Sequence, residues 1–223
     1  MIHDWSGTTV QMDFHPPTTE CLPRSFYLQD TVEVARQLLG KELVYEHPQL
    51  GTLSGIIVET EAYLGNQDPA CHSFNNRRTP RTETMFGLGG FSYVYFIYGM
   101  YHCFNVVTMN EGEPEAVLIR ALEPRLGLGR LMSRCKPGTK PHQLLNGPGK
   151  LCKTLEINRE HNALDLCQSP IVIRQAEETC HSMEIEITPR IGIGSTGDAA
   201  HWPLRFLCSG HPCLSPVKSP NYL

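Results

Sequence analysis

The chain has 223 residues, of which 40% are hydrophobic and 19% are charged, and its formal net charge is −4 at pH 7. This length can bury a core without disulfide or metal staples. No apolar run approaches the roughly 18 residues of a membrane span, and the N-terminus lacks the basic start and apolar stretch of a secretory signal. The nine cysteines include no CxxC pair, which argues against a zinc or iron–sulfur site and favours reduced thiols.

The charges are unevenly distributed along the chain, although the net charge is negative. Residues 124–155 include no Asp or Glu, although they hold seven of the 19 Lys and Arg residues. A local basic field can capture a polyanion even on an acidic protein. A solvated basic surface without a partner explains the same window equally well, so charge alone leaves nucleic-acid binding open.

The two ends of the chain differ in composition from its middle. Residues 1–20 predict a flexible leader, and residues 209–223, which are rich in Pro and Ser, predict a flexible tail. Between them we find no linker and no internal repeat. The sequence therefore predicts one folded domain over residues 21–208.

The first predicted element of this domain is a helix, "DTVEVARQLLG", which Asp30 caps and Gly40 ends. The segments "ELVYE" and "LSGIIVETEAY" follow as strands. A third strand, "AVLIRALEP", stops at Pro124, and "GPGKLCKTLEI" is typical of a loop that enters a helix. Because strands outnumber helices and hairpins outnumber crossovers, we predict a single α+β domain with a curved, mainly antiparallel sheet and flanking helices.

The second strand carries two carboxylates where an apolar run would continue. Glu59, Glu61 and Tyr63 alternate along "IIVETEAY", so they share one face of a strand. An ionised carboxylate is costly to bury unless it is paired or used in chemistry. Glu61 is nearer than Glu59 to Tyr63 along the strand, which favours Glu61 as the acid used in chemistry. We expect Glu59 to pair with a buried arginine or with backbone N–H groups.

The stretch "FSYVYFIYGMYHCFNVV" predicts a protruding β-hairpin, because aromatic and β-branched residues favour strands and Gly99 permits a tight turn. Tyr98 and Met100 would protrude at its tip, while Tyr95 would point into the body. An apolar or aromatic tip can act as a wedge between DNA base steps. Enzymes that act on a base flip it out and stack it on aromatic side chains.

Two groups of cations are candidates for phosphate contacts. Lys150 and Lys153 follow the glycines of "GPGK", where freed backbone N–H groups also attract phosphate. Arg77, Arg78 and Arg81 occur in "NRRTPRTET", and arginine suits phosphate contacts. Turn prolines and solvated charges explain the arginine segment almost as well without DNA.

Taken together, these segments resemble the alkyladenine (3-methyladenine) DNA glycosylase family of mammals and many bacteria. The matching stretches keep the family's order over most of the chain: "GIIVETEAYLG", "HSFNNRRTPRTETMF", "YVYFIYGMY", "FNVV", "VLIRALEP" and "GPGKLCKTL". The resemblance implies a glycosylase domain over residues 21–208 whose hairpin enters the DNA minor groove. It implies a monofunctional hydrolase of N-glycosyl bonds that acts in base excision repair, with no metal and no other cofactor.

The resemblance also implies catalytic roles. Glu61 matches the family's general base, and Arg120 matches the arginine that helps to hold the attacking water or the sugar-phosphate. The chemistry agrees, because a carboxylate can stabilise an oxocarbenium-like sugar and deprotonate water. Alkylated purines are cationic and leave readily, whereas neutral lesions such as hypoxanthine need a donor, for which His72 or the backbone is the candidate.

Five further positions match residues that contact DNA or the flipped base. Tyr63, His72 and Tyr95 match the residues that enclose the base, Tyr98 matches the intercalating tyrosine, and Asn105 matches the residue that disfavours guanine. The predicted enzyme flips alkylated or deaminated purines out of double-stranded DNA and hydrolyses the N-glycosidic bond with a water activated by a glutamate, leaving an abasic site. We expect a monomer without membrane contact, in the cytoplasm near the nucleoid if bacterial and in the nucleus if eukaryotic.

Two other functions fit part of the sequence. A hydrolase of free nucleosides would keep the glutamate and the stacking tyrosines but would need neither Tyr98 nor the basic window. A noncatalytic nucleic-acid-binding module would keep its function on substitution of Glu61. Measuring activity on duplex DNA and on free nucleosides distinguishes a DNA glycosylase from these alternatives.

Overall fold

The computed structural model describes residues 20–97, 99–176 and 184–216. The predicted leader, apart from Glu20, and the predicted wedge residue Tyr98 lie outside the described residues. Within them no helix has both the length and the apolar character that a membrane span needs.

Eight strands form one curled antiparallel sheet, which confirms the predicted α+β fold. Their bounds are β1 (Glu42–His47), β2 (Gly51–Tyr63), β3 (Ser92–Ile97), β4 (Tyr101–Thr108), β5 (Glu115–Pro124), β6 (Ile171–Arg174), β7 (Ile185–Thr188) and β8 (Arg205–Cys208). The order along the sheet is β3-β4-β5-β2-β1-β6, while β8 pairs with β2 and with β7. The long strand β2 is therefore central, and it pairs with β1, β5 and β8.

The helices are short, with bounds α1 (Arg24–Tyr27), α2 (Thr31–Gln37), α3 (Leu128–Met132) and α4 (Pro148–Thr154). The predicted cap of α2 is confirmed, since the Asp30 carboxylate accepts the N–H groups of Val32 and Glu33 at 2.9 and 3.1 Å. The helix itself ends at Gln37, and the chain turns through Gly40, whose φ of 79° suits a residue without a Cβ. Helix α4 packs on β4 and β5.

The two faces of β2 are chemically distinct, as its alternation predicts. On one face Thr60 donates its hydroxyl to the carbonyl of Ala35 in α2 at 2.8 Å. On the other face Glu59 and Glu61 both contact Arg120 of β5. The pairing of β2 with β5 is irregular at this point, because Ile57, Glu59 and Thr60 oppose Leu122, Ala121 and Ile119 in turn. Val58 of β2 and Arg120 of β5 are thus both left out of the pairing, and the register is the same on either side, so this bulge-like irregularity is local.

The structure also describes the first part of the segment that we predicted as a tail. Over residues 209–216 the chain packs back onto the sheet, and Cys213 and Ser215 are buried. Ser215 reaches Glu59 of β2, so this segment contributes to the polar site described next.

Candidate active site

A cavity of about 830 Å³ opens beside the polar face of β2. Its wall combines aromatic, thiol and glycine-rich segments from β3, β4, β5, the start of α4 and the loop after β7. The predicted site residues that line it are Tyr63, His72, Arg77, Tyr95, Asn105, Arg120 and Lys150. The sequence therefore identified residues that the fold brings together from separate strands and loops.

Glu61 is fully buried and is not among the residues that line the cavity in the described part of the chain, but it contacts Tyr63 and Arg120, which do line it. Its Oε1 accepts the backbone N–H of Ile191 at 2.7 Å, and its Oε2 accepts the hydroxyl of Tyr63 at 2.9 Å. The Arg120 guanidinium lies 3.2 Å from the same Oε2. Three donors thus orient one carboxylate, and a carboxylate has about four acceptor positions, so one stays available.

Glu59 is also fully buried, but its surroundings differ. Its Oε1 accepts Arg120 Nε at 3.0 Å and Arg205 Nε at 2.7 Å, while Ser215 donates its backbone N–H to Oε2 at 2.7 Å and its hydroxyl to the same carboxylate. Burial alone would raise the pKa of Glu59, but Arg120, Ser215 and Arg205 outweigh it and the pKa is lowered. The expected pairing of Glu59 with a buried arginine and a backbone N–H is confirmed.

Tyr63 connects the carboxylates to the cavity. Its hydroxyl contacts Glu61, and the Arg190 guanidinium lies over its ring at 4.7 Å from the centroid. Arg190 in turn is held by the fully buried Asp68 and by the carbonyl of Ala62, the latter at 3.0 Å. The tyrosine ring is therefore fixed on one side by a cation, and it lines the cavity.

His72 and Tyr95 form an aromatic corner of the cavity. The two rings meet edge to face with centroids 4.6 Å apart, and Tyr93 supports the corner through a 3.0 Å contact between its hydroxyl and His72 Nδ1. Asn105 is buried below them and donates to the backbone carbonyl of Tyr93 at 2.9 Å. Burial, followed by Arg81 and Arg77, lowers the pKa of His72 to about 4, so its imidazole is neutral at pH 7.

The residues predicted to contact DNA have varied surroundings. Arg77, Lys150 and Lys153 are exposed, and Met100 is 67% exposed. Arg78 is exposed as well but forms a bidentate ion pair with Glu83.

Arg81 lies against the aromatic corner, where its guanidinium contacts His72 and the ring of Tyr95. The start of α4 adjoins the start of β4, because Gly149 is so close to Tyr101 that a Cβ there would lie 3.0 Å from the ring.

Five residues of the polar site were not found by sequence reasoning: Asp68, Arg190, Ile191, Arg205 and Ser215. Two of them belong to "PRIGIG", a glycine-rich segment with an arginine that could have been suspected as a loop at a polar site. Nothing in the sequence around Ser215 indicates its partner. Among the described residues no group of three or more His, Cys, Asp and Glu side chains could hold a metal ion.

Comparisons with known proteins identify the family of this chain. The family model for methylpurine-DNA glycosylase matches residues 25–212. A protein of Desulfitobacterium hafniense (strain Y51) named "Putative 3-methyladenine DNA glycosylase" is 48% identical over 193 residues, which cover 83% of this chain and 93% of that protein. Proteins of the same name from Bacillus cereus (strain ATCC 10987 / NRS 248) and Bacillus anthracis (strain A0248) are 46% and 47% identical, and the matches cover 86% of this chain and 98% of each relative.

The chain therefore belongs to the methylpurine-DNA glycosylase family, and it is a DNA glycosylase, a hydrolase of N-glycosyl bonds. This confirms the family that the sequence motifs indicated.

Replacing Glu59 by Gln tests its structural role. The change leaves Arg120 and Arg205 buried with too little negative charge, so we expect the free energy of unfolding at pH 7 to fall by about 3 kcal/mol. Because the pKa of Glu59 is lowered in the fold, its stabilisation is present at neutral pH and disappears as the pH falls through that lowered pKa. Urea unfolding at neutral and at acidic pH should therefore show a difference between wild type and variant that shrinks in acid.

Glu46→Gln on β1 is the matched control, since Glu46 is exposed and its side chain bonds to Thr52 alone among the described hydrogen bonds. It should change stability by less than about 0.5 kcal/mol. Equal stability of the Glu59 variant and the wild type at pH 7 would contradict a structural role for Glu59.

Proposed function

We propose that the enzyme removes 3-methyladenine and other alkylated or deaminated purines from duplex DNA, holding the flipped base in the cavity beside Glu61. The observation that carries the proposal is the contact between Tyr63 and Glu61. One side chain lines an aromatic cavity with its ring and orients a buried carboxylate with its hydroxyl, 2.9 Å away. Aromatic side chains can stack on a flipped base, and a carboxylate can stabilise an oxocarbenium-like sugar.

The flipped purine would lie against Tyr63, His72 and Tyr95. Purines alkylated on a ring nitrogen are cationic, and aromatic faces attract cations. The Asn105 side chain is buried and lines the cavity. Its amide would exclude a base that carries an additional exocyclic amino group, such as guanine. Selection would then combine attraction for the lesion with exclusion of normal bases.

Hydrolysis would proceed through an oxocarbenium-like sugar. As the bond from C1′ to the purine nitrogen breaks, its electrons leave with the base, and the Glu61 carboxylate stabilises the positive sugar. A water molecule then adds to C1′ and gives its proton to Glu61. Arg120, which lines the cavity and contacts Glu61, is suited to hold that water or the sugar-phosphate.

Neutral lesions such as hypoxanthine would need a hydrogen-bond donor on the leaving base. Both nitrogens of His72 already have partners in the described structure, which favours the backbone at this corner over the imidazole as the donor.

DNA would cross the mouth of the cavity. Lys150 lines the cavity and Lys153 is exposed one turn further along α4, so both could meet phosphates of the lesion strand. Arg77 also lines the cavity and is exposed. Met100 would touch the minor groove near Tyr98, the residue to which the family resemblance assigns intercalation.

Glu61→Gln tests the chemistry. The amide cannot accept the proton of water, so single-turnover release of hypoxanthine from a duplex should fall at least about 100-fold, while binding of the lesion duplex is retained. Glu46→Gln again serves as the exposed control. Near-normal release by the Glu61 variant would refute the mechanism, and release only from free nucleosides by the wild type would favour the nucleosidase alternative.

The combined change of Lys150 and Lys153 to Gln tests the DNA path. Affinity should fall alike for lesion and undamaged duplexes, and the slope of log K against log salt should flatten by about 0.9 for each phosphate that the variant no longer neutralises. Arg36→Gln is the control, because it also removes an exposed positive charge, but from α2, which packs on the face of β2 that is turned away from the cavity. An unchanged slope for the double lysine variant would place the DNA elsewhere.

A further inference from the structure

The imidazole of His72 has a defined hydrogen-bond arrangement. Arg81 Nη2 lies 3.3 Å from Nε2, and the Tyr93 hydroxyl lies 3.0 Å from Nδ1. A guanidinium can only donate hydrogen bonds. Nε2 is therefore an acceptor, and the single proton of the neutral ring is on Nδ1, where it is donated to the oxygen of Tyr93.

Arg81 contacts the other side chain of the same corner as well. Its guanidinium carbon lies 5.0 Å from the centroid of the Tyr95 ring, within cation–π range, and the ring of Tyr95 packs edge to face on His72. His72 and Tyr95 line the cavity, whereas Arg81 is not among its lining residues in the described part of the chain. One cation thus fixes two wall residues from outside the wall.

The charges around His72 all oppose a positive charge on its ring. Arg77 and Arg81 face it from the loop that follows it, and β3 contributes only the hydroxyls of Tyr93 and Tyr95. No carboxylate occurs among the described contacts of this imidazole. The pKa of about 4, lowered by burial and then by Arg81 and Arg77, agrees with this geometry.

We propose that Arg81 is a positioning residue that holds His72 neutral with its proton on Nδ1, so that the cavity accepts a positively charged purine. The inference rests on the proposed function, since it specifies which lesions the same cavity takes. An imidazolium in the wall would repel a cationic base, but it would not repel a neutral one. Arg81 therefore sets a specificity that its exposed position would not suggest.

The first test observes the ring directly. Nitrogen-15 NMR of the full-length protein should show His72 protonated on Nδ1 and unprotonated on Nε2 between pH 5.5 and 7.5. In Arg81→Gln the removal of a nearby cation raises the pKa, so the ring should take up its second proton at a higher pH than in the wild type; Arg81→Lys should restore the wild-type behaviour. A wild-type ring protonated on Nε2, or one that titrates near pH 6.5, would overturn the proposal.

The second test measures single-turnover release of cationic 7-methylguanine and of neutral hypoxanthine from matched duplexes at pH 7.5 and 5.5. The rate for 7-methylguanine divided by the rate for hypoxanthine should fall as the pH falls, and this fall should be about tenfold larger in Arg81→Gln than in the wild type. A tenfold effect corresponds to about 1.4 kcal/mol of repulsion. Arg81→Lys should follow the wild type. A purely structural defect would lower both rates together and leave the ratio independent of pH.

Arg78→Gln is the matched control for the removal of an arginine from the same loop, because Arg78 pairs with Glu83 and not with His72. It should alter release of both bases alike at both pH values. A ratio in Arg81→Gln that follows the wild type would overturn the inference even if both lesions are released. Failure of the wild type to release either base would instead refute the proposed function, and the NMR result would still decide the state of His72.

Discussion

A buried guanidinium shared by two carboxylates is the constraint on which this site depends. Arg120 contacts both Glu59 and Glu61, and all three are nearly or fully withdrawn from water. Burying a charge is tolerable only when it is paired and hydrogen-bonded. Two further arginines, Arg190 and Arg205, complete the arrangement. With Asp68 as the third acid, three negative and three positive side chains balance beside the cavity.

Glu59 and Glu61 share this charge balance but differ in their hydrogen-bond donors. Glu59 is surrounded by donors from β5, β8 and the segment after β8, so its carboxylate joins three elements of the fold. Glu61 has fewer donors, and one of them is the hydroxyl of the cavity residue Tyr63. The same strand thus carries two buried acids two residues apart, a fully paired one and the one to which we assign the chemistry, and Arg120 contacts both.

The sequence predicted those features that depend on neighbours along the chain. The shared face of Glu59, Glu61 and Tyr63 follows from strand geometry, and the Asp30 cap follows from local hydrogen bonding. Partners brought by tertiary folding were not predictable: Ser215 bonds to a residue 156 positions earlier, in a segment whose composition predicts a tail. The irregular pairing of β2 with β5 and the contact of Arg81 with the aromatic corner likewise arise from packing, which composition and spacing do not encode.

A double-mutant cycle on Arg120 and Glu59 tests the shared-cation arrangement most directly. The free energy of unfolding would be measured in urea for the wild type, Arg120→Met, Glu59→Gln and the variant with both changes. If the buried pair anchors the site, the double variant should be at least about 2 kcal/mol more stable than the sum of the two single destabilisations predicts, because the first change already removes the attraction between Arg120 and Glu59 and the second change then costs less. Single destabilisations that add to within about 0.5 kcal/mol would contradict the account.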